Sequence, residues 1–476
     1  MANLRASDQV MRLYLDQHMY LMPHFVQSSP CLQDDIKAEI IKAADGIIFI
    51  AKFHFNTLSR KTSPKAVEDA LSMLPPVQDA CDQAYHRAMR RIELQLPERT
   101  ALAKWALSWA VFARQPLTLP ELQHALSISW CDTHLERGAL PTAKKIESAC
   151  AGLVVVDEPS QTIRLVHHTA QEHLERTRSG WFPGALNYIA RVCINYLCSD
   201  VFEDGRCDTN REFAERLRTY PLFDYASRYW GHHFRQTDLP RDDLAVHRVM
   251  HFLASDGKVE ASGQALFPSK LPLISSPGPF GYYASDLRLS SLHLAAYFGL
   301  HDVAGELLAR GGVDVDVADS RGRTALSYAA SNGCDEFIRV LLQHRARVHI
   351  GDNFHVTPLS YAAMAGRVNA TKILLCEGRA DAHQRDTNGS TPLSWAAKNG
   401  HGVVVELMLE HLRVAGQTLG RMGAGGLRQA YGGRAIEDSI QSALAEAASF
   451  GHGEIVKLLL DSAGATPLGL AAASRR

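Results

Sequence analysis

The sequence predicts a mainly α-helical chain in which a helical segment and a winged helix precede a solenoid of helical repeats. Three observations support this fold class. A short block recurs in the second half at a nearly constant spacing, which is the signature of stacked repeats. Residues 99–178 combine helix-start signals with a short hairpin pattern, and residues 1–98 carry apolar side chains at helical spacing.

The chain has 476 residues, enough for about three domains. We expect five consecutive segments, and their predicted bounds are 1–98 for a helical segment, 99–180 for the winged helix, 181–254 for a helical connector, 255–287 for a linker and 288–476 for the repeats. In the first segment Leu32, Ile36 and Ile40 form a stripe with four-residue spacing, and Ser63 before Pro64 is typical of a helix start.

A different pattern begins at residue 99. One helix is predicted to end near Phe112, and the spacing of Thr118 and Glu121 is that of a capping box. A helix around residues 143–151 and two short apolar strands, 153–156 and 163–166, follow. This order of helices and a hairpin indicates a winged helix, a fold that is used both for DNA binding and for protein contacts. Further along, Pro, Gly and Ser in residues 255–287 predict the linker.

The second half contains copies of one unit that ends in Gly. Residues 324–333, 357–366 and 391–400 are the best copies; 291–299 precedes them and 442–451 follows. Thr or Ser suits a helix N-cap, the paired Ala lets a second helix approach, and Gly suits the left-handed end of the first helix. The unit closely resembles the ankyrin repeat, which implies a stack of helical hairpins that binds protein partners.

Three features depart from that repeat. Arg345 stands where a Gly usually follows the second helix, so we expect a strained left-handed residue there. About 18 extra residues near 412–433 contain many glycines without phosphate-loop spacing, which predicts a flexible loop. The last unit starts early, and we expect it to be truncated. The prediction is therefore about five repeats.

Four further segments, 44–54, 117–126, 149–157 and 163–172, resemble parts of fungal NACHT-ankyrin proteins, which belong to the STAND, NOD-like receptor class. Residues 44–54 resemble the end of the NACHT module of that family. The other three segments resemble parts of the winged helix of the GPI inositol-deacylase type that follows the nucleotide-binding core there. Residues 219–235 resemble the connecting helices. The nucleotide-binding P-loop, G-x-x-x-x-G-K-[ST], has no counterpart here, so we expect neither nucleotide nor any other cofactor.

Catalytic and metal-binding patterns are also missing from the sequence. The hydrolase elbow G-x-S-x-G does not occur, and Cys193, Cys198 and Cys207 lack the spacing of zinc ligands. We therefore predict no catalytic residue, no metal site and no enzyme activity. Nine scattered cysteines, the lack of a signal peptide and a longest apolar run of only 47–53 indicate a cytoplasmic protein without a membrane partner.

Charge argues against nucleic acid as a partner. The whole chain has a formal charge of −1, and residues 99–178 carry nine basic and eight acidic side chains. The expected recognition helix offers only Lys144 and Lys145, whereas neutralising several phosphates needs a richer patch. A winged-helix nucleic-acid regulator remains an alternative, and so does a truncated, non-functional receptor fragment.

The favoured function is a non-enzymatic adaptor or sensor that binds a protein through the concave face of its ankyrin stack. Side chains before each closing Gly and at the turn tips are not needed for folding, and exposed aromatic and Met side chains are typical of contact patches. The predicted partner-binding residues are Tyr297, Phe298, Arg321, Asn332, His355, Met364, Asn388, Lys398, Asn399 and Phe450.

Overall fold

Helices form nearly all of the regular structure, and the described residues contain one two-stranded sheet. The structure is a computed structural model that describes residues 6–75, 77–128, 140–237, 243–267, 287–421 and 426–462. It comprises two units: Met1–Tyr196 with Tyr220–Tyr225, and Leu197–Thr219 with Ala226–Arg476. The predicted fold class, mainly α with a winged helix and a repeat solenoid, is confirmed.

The first unit begins with six α-helices. They are α1 Asp8–His18, α2 His24–Gln27, α3 Pro30–Ala44, α4 Ile48–Leu58, α5 Pro64–Ser72 and α6 Val77–Glu93. The predicted stripe packs inward, since Ile36 and Ile40 on α3 are fully buried. The Ser63 hydroxyl accepts the Ala66 N–H, so the predicted start of α5 is also confirmed.

The winged-helix segment follows in the same unit. Its elements are α7 Pro97–Phe112, α8 Leu119–Ser127, α9 Ala143–Ala149, β1 Val154–Asp157, β2 Thr162–Leu165 and α10 His168–Arg176. The Glu121 carboxylate accepts the Thr118 N–H at 2.6 Å, which completes the predicted capping box. Strands β1 and β2 pair antiparallel, with Val154 opposite Leu165. The predicted wing is therefore present.

The connector continues the helical chain through both units. Its helices are α11 Arg178–Trp181, α12 Ala185–Leu197, α13 Asn210–Thr219, α14 Leu222–Arg235, α15 Leu244–Leu253 and α16 Asp256–Leu266. Helix α16 falls inside the predicted linker 255–287, so the linker prediction is wrong for these residues. Residues 268–286 of that linker lie outside the described residues.

Close packing explains the composition that suggested a linker. A Cβ on Gly257 would lie 1.9 Å from the Glu203 carbonyl oxygen, so only Gly fits this approach. Lys258, only 2% exposed, forms ion pairs with Asp200 and Glu203 at 3.3 and 2.9 Å. Gly257 and Lys258 of α16 thus serve tertiary packing. Sequence composition alone does not distinguish such a helix from a linker.

The repeats of the second unit are helix pairs. They are α17 Ser291–Phe298 with α18 His301–Ala309, α19 Ala325–Asn332 with α20 Asp335–Gln343, α21 Pro358–Met364 with α22 Val368–Cys376, α23 Pro392–Lys398 with α24 Gly402–Arg421, and α25 Gly426–Ser449 with α26 Gly453–Ser462. The repeated Leu of the unit forms the core, since Leu326, Leu359 and Leu393 are at most 1% exposed.

The insertion near 412–433 is helical wherever its backbone is described. Helix α24 continues to Arg421 and α25 starts at Gly426, so the predicted flexible loop is wrong for these residues. Extending a helix that has already formed needs no new nucleus, which favours this outcome despite the glycines. Residues 422–425, and residues 463–476 of the predicted truncated unit, lie outside the described residues.

Candidate partner-binding surface

Three of the repeats contain a turn that is built around one buried aspartate. One carboxylate oxygen of Asp352 accepts the N–H groups of Phe354 and Val356, both at 2.9 Å, and the other accepts the Tyr361 hydroxyl at 2.7 Å. Asp319 and Asp386 make the same set of bonds in the repeats on either side. The aspartate thereby holds the backbone of each of these three turns.

Burial makes the two tyrosine hydroxyls that donate to these aspartates harder to deprotonate. Burial, together with the neighbouring Asp352, raises the pKa of Tyr361 above its ordinary value. Burial likewise raises the pKa of Tyr328, which donates its hydroxyl hydrogen to Asp319 at 2.7 Å. Both phenols therefore remain protonated donors to a carboxylate at neutral pH.

The tips themselves are exposed, but one predicted tip residue is displaced. Arg321 and Asn388 are exposed and stand two positions after the aspartate. In the repeat between them this position belongs to Phe354, which is 63% exposed, whereas His355 occupies the next position, where its neighbours have Gly. His355 is exposed and left-handed, with φ of 59°. Counting from Asp352 in the sequence would have identified Phe354 as the tip.

Phe298 is a core residue, so its prediction as a partner contact is wrong. It is 1% exposed, and its ring lies 5.0 Å from that of Trp230 and 5.1 Å from that of His232. Tyr297 is half-buried, with its ring 5.0 Å from that of Phe267. The first repeat is thus covered by preceding helices, which explains why its aromatic pair is less available than the sequence pattern suggests.

Two predicted residues link neighbouring repeats. The Asn332 side chain donates to the Tyr297 carbonyl oxygen at 2.8 Å, and the Asn399 side chain donates to that of Met364 at 3.1 Å. These carbonyls stand at helix ends, where no intrahelical N–H reaches them. Both asparagines remain exposed, so they contribute to the stack and still face solvent.

In the last two repeats, the predicted residues combine a cation with aromatic rings. The Lys398 ammonium lies 5.1 Å from the Trp395 ring centroid and 5.0 Å from that of Phe450, and 3.6 Å from a Glu446 carboxylate oxygen. Phe450 is 55% exposed, whereas Met364 is half-buried. This end therefore presents an apolar ring beside a partly neutralised charge.

We name the tip surface from these results. It consists of Arg321, Phe354 and Asn388 at the turns with Asn332, Met364, Lys398, Asn399 and Phe450 at the helix ends.

Within the described residues no group of three or more His, Cys, Asp or Glu side chains could hold a metal ion. Over the same residues, no helix is both long and apolar enough to cross a membrane.

Comparisons with known proteins agree with this architecture. Residues 292–386 and 378–467 match the ankyrin repeats (3 copies), and residues 92–180 match the GPI inositol-deacylase, winged helix domain. Ankyrin repeats suggest protein–protein interaction, so the coarse prediction of a protein-binding module is supported.

Similar proteins cover only parts of the chain. The azaphilone pigments biosynthesis cluster protein L of Monascus ruber is 24% identical over 282 residues, 51% of this chain and 55% of that protein. Palmitoyltransferase AKR1 of Candida glabrata is 34% identical over 15% of this chain and 9% of its own. The mouse protein fem-1 homolog A-like is 31% identical over 20% of this chain and 15% of its own. The chain therefore spans about half the length of the first relative, and it contains ankyrin repeats and a winged helix of the GPI inositol-deacylase type.

Proposed function

We propose that this chain is the non-enzymatic adaptor or sensor part of a cytoplasmic, NOD-like receptor-type NACHT-ankyrin protein, and that a protein partner binds the concave face of its ankyrin stack. The matched winged helix and repeats support this assignment, together with the resemblance of the earlier segments. In this proposal the chain uses no nucleotide of its own, and binding at the stack is its activity.

One observation carries the proposal: the tip surface exposes apolar side chains that the fold does not need. Phe354 is 63% and Phe450 is 55% exposed. The turn that carries Phe354 is closed by the Asp352 carboxylate through the backbone N–H groups of Phe354 and Val356, so these closing bonds do not involve the Phe354 ring. Exposed rings on a rigid, repeated scaffold are the usual anchors of a protein interface.

Partner capture by crosslinking tests the proposal. A photo-crosslinking amino acid at position 354 would identify the partner, which is then purified and titrated against variants of the full chain. Replacing Phe354, Met364 and Phe450 together by Ala should weaken binding at least about tenfold, because such anchors are worth about 1 kcal/mol or more each. Thermal melts should stay within a few degrees of the parent.

A matched variant controls for general loss of apolar surface. Val368 and Val403, on the second helices α22 and α24, are 36% and 62% exposed. Their joint replacement by Ala should leave the affinity unchanged. Equal affinity of the triple variant and the parent, or a loss shared by the valine variant, would show that the tip surface is not the binding face.

A further inference from the structure

An open cleft of about 1090 Å³ lies in the first unit, away from the repeats. Its walls are α4 and α6 of the helical segment, and α9 and β1 of the winged helix complete it. All of its lining residues belong to the described part of this one unit. Neither the repeats nor the proposed partner face involves it, so it needs its own explanation.

The rim of the cleft is strongly basic. Helix α4 and the residues after it supply Lys52 and Arg60, while α6 supplies Arg87, Arg90 and Arg91 at helical spacing. All five side chains are exposed. The one carboxylate among the lining residues is Glu147, whose oxygen already accepts the Val156 N–H at 3.0 Å.

Local contacts orient Arg87 and Arg91 without neutralising them. The Arg87 guanidinium lies 4.8 Å from the Phe53 ring centroid, and Arg91 donates to the Ala151 carbonyl oxygen at 3.4 Å. Among the described residues, one carboxylate comes within 4.0 Å of any of these five cations. It is that of Glu93, and its oxygen lies 4.0 Å from the Arg90 guanidinium. Positive charge is therefore concentrated here in a chain whose formal charge is −1.

The interior of the cleft is apolar. Ile48, Phe49 and Phe53 from α4 are half-buried, and Val155 on the wing is 40% exposed, although its strand neighbour Val154 is buried. A ligand that satisfies this surface must offer apolar groups to the floor and anionic groups to the rim. Charge complementarity and apolar burial together define its chemistry.

We propose that this cleft binds an acidic peptide segment of a protein partner, anchored by one or more large apolar side chains. The cleft is open, and its volume lies at the upper end of the ~300–1,000 Å³ typical of small-molecule sites, which leaves room for a chain segment. Nucleic acid is disfavoured because Lys144 and Lys145 of the expected recognition helix do not line the cleft. The floor also combines aliphatic side chains, such as those of Ile48 and Val155, with the aromatic ones. The inference is independent of partner binding by the repeats.

Fluorescence anisotropy with the full chain tests the proposal. The probe is a labelled pool of peptides of about twelve residues that mix Glu or Asp with Leu, Val or Phe. Two comparison pools replace the acidic positions by Lys or the apolar positions by Ser, and a labelled DNA duplex serves as a third comparison. We expect binding of the first pool alone, weakened severalfold by a rise in salt because exposed charges are screened.

Two double variants locate the site. Arg60→Glu with Arg90→Glu should reduce peptide affinity at least about tenfold, since like charges across an interface repel. Lys144→Glu with Lys145→Glu makes the same change in net charge outside the cleft and should have little effect. The milder Arg60→Gln with Arg90→Gln provides the test if charge reversal prevents folding.

Several results would overturn the proposal. Lack of binding by the acidic apolar pool would do so, and equal binding of the Ser-substituted pool would reduce the cleft to a general anion surface. A loss of affinity that follows Lys144 and Lys145, with tighter binding of the DNA duplex, would instead assign this unit to nucleic-acid recognition.

Discussion

The indole N–H of Trp395 donates to the Asp386 carboxylate at 2.9 Å, and the two residues belong to different elements of the same repeat. The other oxygen of Asp386 accepts the N–H groups of Asn388 and Ser390 at 2.9 and 2.8 Å. One buried carboxylate therefore closes the turn and anchors it to the first helix. The tip surface depends on this arrangement, because the turn carries Asn388.

We predict that Asp386→Ala destabilises the chain by about 3 kcal/mol, because a buried charged acceptor is lost and its three donors, two backbone N–H groups and the Trp395 indole, lose their partner. Trp395→Phe removes one donor and keeps a smaller aromatic ring at this half-buried position, so its cost should be less, about 1 kcal/mol. Urea unfolding of both variants provides the comparison. Equal effects of the two substitutions would mean that the backbone bonds to Asp386 contribute little.

The features that could be predicted from the sequence depend on neighbours close along the chain. The capping box of Thr118 and Glu121, the wing and the repeated helix pairs all follow from local spacing, and the structure contains them. The burial of Phe298 and the helix at Asp256–Leu266 depend on distant residues such as Trp230 and Glu203. Their local sequence does not contain that information.

The candidate surface, too, was predictable from the sequence only where it follows from neighbours along the chain. The repeat register correctly located exposed Arg321 and Asn388, because turn position follows directly from the repeat. It named His355 in place of Phe354 in a turn where His355 replaces the Gly that follows the tip in the neighbouring turns. The basic cleft was missed altogether, since its five cations come from α4, the turn after it and α6, and only the fold brings these segments together.

Truncation to Ala should destabilise the chain far more at Phe298 than at Phe450. Phe298→Ala is expected to cost about 3–5 kcal/mol, because it leaves a cavity beside Trp230. Phe450→Ala should cost less than about 1 kcal/mol, since the ring is 55% exposed and contacts Lys398 at its edge of the stack. Chemical denaturation measures both. A mild effect of Phe298→Ala would restore this residue as a candidate partner contact.

Arg345 is left-handed, with φ of 65°, as its position after the second helix predicted. Arg345→Gly should stabilise the chain by a few tenths to about 1 kcal/mol, because Gly adopts this conformation without a steric penalty. The neighbouring His344 is exposed and has a negative φ of −86°. His344→Gly is the matched control and should destabilise by about 0.5–1 kcal/mol. Two effects of the same sign in urea melts would refute the strain at Arg345.

His54 should make the first unit sensitive to acid. Its side chain on α4 is 1% exposed, and its Nε2 has no hydrogen-bond partner among the described residues. Burial lowers the pKa of His54 to about 4, below the ordinary value of 6.5. The neutral ring is therefore the folded form, whereas the unfolded chain takes up a proton below about pH 6.5.

The sign of the pH dependence follows from this depressed pKa. The stability associated with neutral His54 is fully present above pH 6.5 and is lost as the pH falls toward the folded pKa of about 4. Between pH 7 and pH 5 the expected loss is about 1–2 kcal/mol.

His54→Leu and His54→Gln both remove the titrating group, so unfolding free energies measured at the two pH values should differ less in either variant than in the parent. At pH 7 the Leu variant should be the more stable of the two, because Gln leaves a polar group buried without a partner. Parallel pH profiles for the parent and both variants would show that His54 does not titrate across this range.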